Sequence, residues 1–280
     1  MLPSPLDALC CPDDGANPLV EHPGGLLCPA CGRRFRQEEG IWEMLPLSPP
    51  SQASGDLVSA ERRQRDQEAV RYDSLWGLRL LSRLELPATL DPLRVMAEDR
   101  AADIGCGTGR FTLPLVRAGA QVVAVDHSGE SLRVLARKLK AGAGLSRPLL
   151  VRGDVTRLPI RNGWATRAVC AQVLEHLPTP ELRRAVVDEL ARVLAPEGRA
   201  ALSAYWYAPL LRGLLRREGM HSGAIYYHRF ERRELAELLE RRFVVERLTG
   251  RLVYVLLAHL RRRDGIWVPN EFGATGASGT

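Results

Sequence analysis

From Arg100 onward the chain alternates short apolar runs with stretches of helical spacing. AADI (101–104), QVVAVD (121–126), PLLVRGD (148–154), RAVCAQ (167–172) and RAALSAYW (199–206) have strand length and are nearly continuous in apolar residues. Between them, helical spacing runs over about 110–118, 129–141 and 180–195. Strands buried on both faces and alternating with helices of this length predict a parallel sheet with helices on either side. A further helix is expected at 231–242, and then VVERLTG and RLVYVLLAHL as a closing hairpin that turns at Thr249 and Gly250. Upstream, residues 57–86 carry charges and apolar positions at helical spacing, and DPLRVMAE (91–98) predicts one more helix.

The amino-terminal part follows a different pattern. PLSPPSQASGD (46–56) has no apolar period and reads as a linker. It sets off a head of about 45 residues, a size that needs a staple to be stable. The tail GATGASGT has no apolar anchor and reads as disordered.

Composition narrows the class. A chain of 280 residues with 45% hydrophobic and 26% charged positions is long enough for one well-buried domain and a small appendage. No apolar run approaches the roughly 20 residues of a membrane helix, so no membrane insertion is expected. MLPSPLDALCC lacks a positive leader followed by an apolar core, which makes a cytoplasmic location the expectation. In that reducing setting the four clustered cysteines of the head read as metal ligands, and Cys106 and Cys170 as free thiols. The net charge of +6 raises a nucleic-acid partner. The basic residues are spread along the chain, however, and alternate with glutamates on presumed helix faces, as in RRELAELLERR (232–242). A solvated face is the reading that pattern favours.

The strongest chemical signal is DIGCGTGRF, Asp103 to Phe111, where the first strand should meet its helix. Glycines at 105, 107 and 109 let the backbone pass close beneath a ligand. A dinucleotide fingerprint would need glycine at 110, where Arg110 stands. Asp103 precedes the first glycine, where it would repel a pyrophosphate and welcome a cation. Asp126 ends the next strand, placed to accept bonds from vicinal ribose hydroxyls. Asp154 ends the strand after that, within reach of an adenine amino group. A glycine loop and three acids at successive strand ends describe a pocket for a cationic nucleoside without phosphate, and S-adenosylmethionine fits that description.

AADIGCGTGRF, VVAVDHS, GDVTRLPI, VLEHL (173–177) and LARVLAPEGR (190–199) together resemble the successive motifs of class I S-adenosylmethionine-dependent methyltransferases. The resemblance spans about residues 100–206. It implies an α/β fold with a Rossmann-like seven-stranded sheet and helices on both faces, over residues 57–268. It also implies that the Gly105, Gly107 and Gly109 loop supports the methionine part, that Asp126 holds the ribose, and that Asp154 with Val155 flanks the adenine. Cys106, His127 and Gln172 complete the expected cofactor lining. Family members commonly carry Phe-Asp at the start of the fourth strand; Thr166 and Arg167 stand there, at the strand's entry and away from its ligand-facing end. In this superfamily the segment before the first strand and the insert after the fifth cover the acceptor, which points to Tyr72, Trp76 and residues 205–230. His176 and Tyr72 are the catalytic candidates, with a capping or core role open for His176.

The head, LDALCCPDDGANPLVEHPGGLLCPACGRRFRQEEGIWEMLP, resembles the small zinc-ribbon family typified by the tRNA-methyltransferase activating subunit. That resemblance implies a small zinc-ribbon-like β domain over residues 1–46, while composition sets the linker over 47–56 and a flexible tail at 269–280. Structural zinc would be held by Cys11, Cys28, Cys31 and, where the family has a fourth cysteine, Asp14. Cys10 or His22 is the alternative fourth ligand, and a site that no longer holds metal, in a head kept by its packing, is the remaining reading. Three functions follow as expectations: a methyltransferase of a small-molecule acceptor, one of RNA or a translation protein, and a non-catalytic cofactor-binding partner. The small-molecule acceptor is preferred over nucleic acid, because VLEHLP resembles the metabolite-methylating branch that includes quinone-biosynthesis enzymes.

Overall fold

The computed structural model describes residues 5–48, 60–67, 69, 85–142, 147–221, 225–251 and 253–263. In the head, β1 (Val20–His22), β2 (Gly25–Leu27) and β3 (Arg34–Phe35) form an antiparallel three-stranded sheet, followed by β4 (Gln37–Glu38) and β5 (Ile41–Glu43). Then come helical residues 60–67 and 85–90, β6 (Arg100–Ile104), α1 (Thr112–Arg117), β7 (Gln121–Asp126), α2 (Gly129–Ala141) and β8 (Leu149–Arg152). The chain continues through β9 (Ala165–Ala171), α3 (Pro180–Val193), β10 (Leu194–Tyr205), β11 (Glu218–His221), β12 (Ile225–His228), α4 (Arg232–Glu240), β13 (Phe243–Arg251) and β14 (Val255–Arg262).

The main sheet has nine strands in the order β13-β14-β10-β9-β6-β7-β8-β5-β4, where seven are expected from the sequence. The surplus is the head's. Ile41, Trp42 and Glu43 pair in parallel with Leu150, Val151 and Arg152, so β5 covers the edge that β8 would otherwise present. Behind that edge the head and the sheet share one core: Leu9, Phe35, Trp42 and Met44 are buried in the same cluster as Ile104, Val125, Val151 and Ile160. Backbone bonds seal the contact, from Cys10 N–H to Pro159 O (3.2 Å), from Arg161 N–H to Ala8 O (2.8 Å) and from Met44 N–H to Arg152 O (2.8 Å).

The parallel strands β6 and β7 are buried along nearly their whole length, which is why their sequences read as continuous apolar runs. Helix starts follow local chemistry. The Ser128 hydroxyl caps α2, Thr179 with Pro180 opens α3, and Glu231 and Glu234 form a capping box on α4.

Two sequence expectations shift. Residues 91–98 hold only a short 3₁₀ turn at Asp91–Leu93, continuing helical residues 85–90. The closing hairpin turns after Arg251, which pairs with Val255, while Thr249 and Gly250 lie inside β13 opposite Leu257 and Leu256. Gly250 serves contact instead of turning, since a Cβ there would stand 2.3 Å from the Trp206 ring. The expected linker from residue 49 on and the tail lie outside the described residues.

Candidate active site

Strand order reverses between β6 and β9, and the carboxyl ends of β6, β7, β8 and β9 open on one crevice there. The glycine loop lines it. Gly105, Gly107 and Gly109 all have positive φ (70°, 53° and 91°), and their surroundings differ. A Cβ at Gly105 would meet Val173 at 2.3 Å and one at Gly109 would meet Leu135 at 2.2 Å, so both are glycine for close packing. At Gly107 a Cβ would meet no atom of the described residues within 4 Å. The loop is therefore packed at its ends and open in its middle, the form of a cradle.

Asp126 fixes that middle. Its carboxylate accepts the Gly107 N–H at 2.7 Å on one oxygen and the Ser128 N–H at 2.8 Å on the other, which leaves each oxygen one more acceptor position. His127 stands beside it, Nδ1 at 3.7 Å from Asp126 Oδ1, with Nε2 buried and without a partner among the described residues. Asp103 is turned inward, accepting the Thr112 hydroxyl at 2.6 Å, and burial raises its carboxyl to about 7. It supports the loop from beneath. Cys106 is buried, and burial followed by the Asp126 and Asp103 charges holds its thiol well above the ordinary range, the opposite of an activated nucleophile. Asp154 accepts from the Thr156 N–H (2.8 Å) and hydroxyl (2.6 Å), and the neighbouring Val155 packs on the core.

Gln172 follows β9 in the left-handed region (φ 57°), and its amide donates to Glu85 at 2.9 Å. Sequence reading missed Glu85. It is 4% exposed and also accepts from Arg110 (2.8 Å) and the Ser203 hydroxyl (2.7 Å), so one carboxylate ties helical residues 85–90 to the glycine loop, β9 and β10. Nothing in LELPATL marks it, because its partners are remote in sequence. The helical segment 60–67 reaches the same crevice. Asp66 accepts from the Ser128 hydroxyl at 2.6 Å, and Glu61 is buried with its carboxyl raised by burial, offset in part by Arg65 at 3.5 Å.

His176 is buried, and its Nδ1 bonds the Tyr226 carbonyl at 2.9 Å, which assigns the proton to that nitrogen. Burial, and then the Arg65 charge, hold its imidazole well below the usual histidine range. Its ring packs edge-on against Tyr205 (5.7 Å between centroids) and near His221 (6.5 Å). The preceding Glu175 is fully buried, with neither carboxylate oxygen bonded among the described residues. Tyr72 and Trp76 lie outside the described residues.

In the head, Cys11, Asp14, Cys28 and Cys31 place one ligand atom each within 4.8 Å of one another. Cys11 Sγ and Cys31 Sγ are 3.7 Å apart, and Cys28 Sγ lies 3.3 Å from Asp14 Oδ2. Zinc–ligand bonds in a tetrahedron require edges of about 3.8 Å between sulfurs and about 3.5 Å from sulfur to oxygen. The donor set fits. Cys10 does not join it: its thiol points to Leu158 O at 3.8 Å, and burial pushes it up to about 12. His22 is bonded to the Pro23 carbonyl and is not in the cluster.

Comparison with known proteins agrees with the crevice. Residues 101–198 match the methyltransferase domain family. A demethylmenaquinone methyltransferase of Clavibacter sepedonicus is 31% identical over 164 residues, 58% of this chain and 61% of that protein. A ubiquinone biosynthesis O-methyltransferase of Xylella fastidiosa is 33% identical over 104 residues, 37% of this chain and 41% of that protein. The chain thus spans less than two thirds of either relative. Among solved structures, Burkholderia thailandensis 1,6-didemethyltoxoflavin-N1-methyltransferase, with its substrate and S-adenosylhomocysteine bound, superposes with a TM-score of 0.62 at 21% identity, over 78% of this chain and 94% of that one. Residues 101–198 thus match a methyltransferase domain family, and the fold is that of the solved methyltransferase structure.

Proposed function

We propose that this protein transfers a methyl group from S-adenosylmethionine to a small-molecule acceptor. The observation that carries the reading is the cradle at Gly107, open above the switch point and rimmed by the Asp126 carboxylate. When bound there, the cofactor supplies an electrophilic methyl group on a positively charged sulfur. Asp126 would accept the ribose hydroxyls, and Asp154 with Val155 would edge the adenine. Cys106, His127 and Gln172 would line the remainder. Asp103 and Glu85, already engaged within the chain, would keep the loop and the β9 end in place.

A small acceptor is supported by the cover over the crevice. Segment 60–67 closes one side through Asp66, and the β11–β12 hairpin closes another through the Tyr226 carbonyl on His176. Catalysis of such a displacement comes largely from holding donor and acceptor in line in a dry site. Several arginines that give the chain its positive charge are paired internally, with Glu85, Glu43, Glu189 and Asp188. The relatives named above act on quinone-pathway compounds and the structural neighbour on a toxoflavin precursor. RNA methylation is the second reading, favoured by the head's resemblance to zinc ribbons of translation-related methyltransferases. Incubating the protein and S-adenosyl-[methyl-³H]methionine with the small-molecule, RNA and protein fractions of a cell extract separates the two. Label in the small-molecule fraction is the expected result, and label confined to RNA would replace the first reading with the second.

The head is proposed to hold structural zinc through Cys11, Asp14, Cys28 and Cys31, with Asp14 as the oxygen ligand. Burial alone would raise the Asp14 carboxyl, yet the Ala16 N–H and the cysteine thiols around it hold it below its ordinary value, as a ligand must be.

A further inference from the structure

Glu175 is a carboxyl without a function in the account so far. Its side chain is 0% exposed, and neither oxygen has a hydrogen-bond partner among the described residues. Buried carboxyls are ordinarily paired or bonded, because an isolated one costs several kcal/mol. Nothing structural is gained by placing it there, since its neighbours Leu174 and His176 already fill the core and bond the β11–β12 hairpin.

Its position is informative. Glu175 lies in the turn that follows β9, and Val173 of the same turn packs directly on Gly105 of the cradle. The charged and titratable groups facing it come from both helical segments of the cover and from the strand before it. They are Glu61 and Arg65 on segment 60–67, Glu85 on segment 85–90, and Cys170 on β9. The carboxyl therefore sits at the carboxyl edge of the sheet, between β9 and the helical cover.

We propose that Glu175 receives the proton of the methyl acceptor, and that the acceptor is accordingly a hydroxyl or protonated-amine nucleophile. This rests on the methyl-transfer reading above. In the step, the acceptor's O–H or N–H bond breaks and its proton goes to the Glu175 carboxylate. The freed electron pair bonds the methyl carbon as the carbon–sulfur bond breaks, and that bond's pair stays on sulfur as a neutral thioether. In the ligand-free protein burial, with Glu85 and Glu61 nearby, raises Glu175 to about 8, so it is protonated at pH 7. A cationic sulfur beside it favours the carboxylate, so binding of the methyl donor should discharge the proton and arm the residue.

Two measurements test this. The first is calorimetric titration of S-adenosylmethionine at pH 7 in buffers of different ionisation enthalpy, on wild type and Glu175→Gln. The wild type should release about one proton more than the variant, and equal release would overturn the proposal. The second is label transfer to extract fractions between pH 6 and 9.5. Glu175→Gln should bind S-adenosylhomocysteine within about threefold of wild type yet transfer about 10²- to 10⁴-fold more slowly. Glu175→Asp, which keeps the acid on a shorter arm, should recover part of the rate. A Glu175→Gln variant that transfers within threefold of wild type overturns the proposal and leaves the methyl-transfer reading standing. Equal loss of cofactor affinity and rate makes Glu175 a cofactor ligand, which also overturns it. A wild type that labels no fraction removes the methyl-transfer reading itself, and this inference with it.

Discussion

Gly107 and Gly109 have the same backbone handedness in one loop, yet adding a single methyl group to each should have opposite consequences. Alanine at Gly107 pays the left-handed penalty, about 1–2 kcal/mol, and meets no atom of the described residues within 4 Å. For a domain of this size that lowers the melting temperature by about 2–8 °C. Its methyl group would occupy the opening where the cofactor is proposed to sit. Forcing a ligand past an extra methyl costs about 1–3 kcal/mol, or about 5- to 150-fold in affinity. Alanine at Gly109 carries the same backbone penalty and also strikes Leu135 Cδ1 at 2.2 Å, adding about 1–3 kcal/mol of overpacking to the folded state. Gly109→Ala should thus melt lower than Gly107→Ala, while Gly107→Ala should bind S-adenosylhomocysteine more weakly. Thermal melting and isothermal titration on the two purified variants give both orderings. Wild-type affinity in Gly107→Ala would refute the reasoning, because the space above that residue would then not be the cofactor's.

Three further outcomes follow from named contacts. Metal analysis should find one zinc per chain, and Cys28→Ser should retain less than about a tenth of it, with a lower melting temperature; undiminished zinc in the variant would exclude the Cys28 ligand. Glu85→Gln keeps the shape and loses the charge that Arg110 faces, which should cost about 1–3 kcal/mol of stability; an unchanged denaturation midpoint would show that the Glu85 contacts are not formed in solution. Asp103 ionises at about 7 folded against 3.8 ordinarily, so between those values the folded state binds more protons and stability falls as pH rises. The slope from this residue is at most about 1.4 kcal/mol per pH unit, and Asp103→Asn should flatten stability measured from pH 4 to 7.

The sheet was legible because parallel strands buried on both faces write themselves as apolar runs, and because glycines at a strand end have few other uses. Asp126 was legible for the same reason: its place at the end of β7 follows from the run before it. The extra edge was not. GIWEM carries too few residues to announce a strand, and its partner, β8, lies more than a hundred residues away in sequence. Charge was the other blind spot. Glu61 and Glu85 fall in a stretch where charges and apolar positions share helical spacing, and their burial depends on Arg65 locally but on Arg110, Gln172 and Ser203 at a distance. Glu175 hid inside a motif, VLEHL, in which the histidine draws the eye. The structure commits that histidine to a backbone carbonyl and leaves the glutamate without a side-chain bond among the described residues. In the head the reverse held, since the spacing of Cys28 and Cys31 and the alignment of Asp14 anticipated the cluster that the fold assembles.

The central claim is that the Gly105–Gly109 loop and the strand ends beside it hold S-adenosylmethionine. Amide hydrogen exchange with and without S-adenosylhomocysteine tests it residue by residue. Protection should rise in the peptides covering 103–109, 126–128, 153–156 and 172–175, and the head strands β1 to β3 should be unaffected. Unchanged exchange at those four strand ends, or protection confined to other surfaces, would contradict the account.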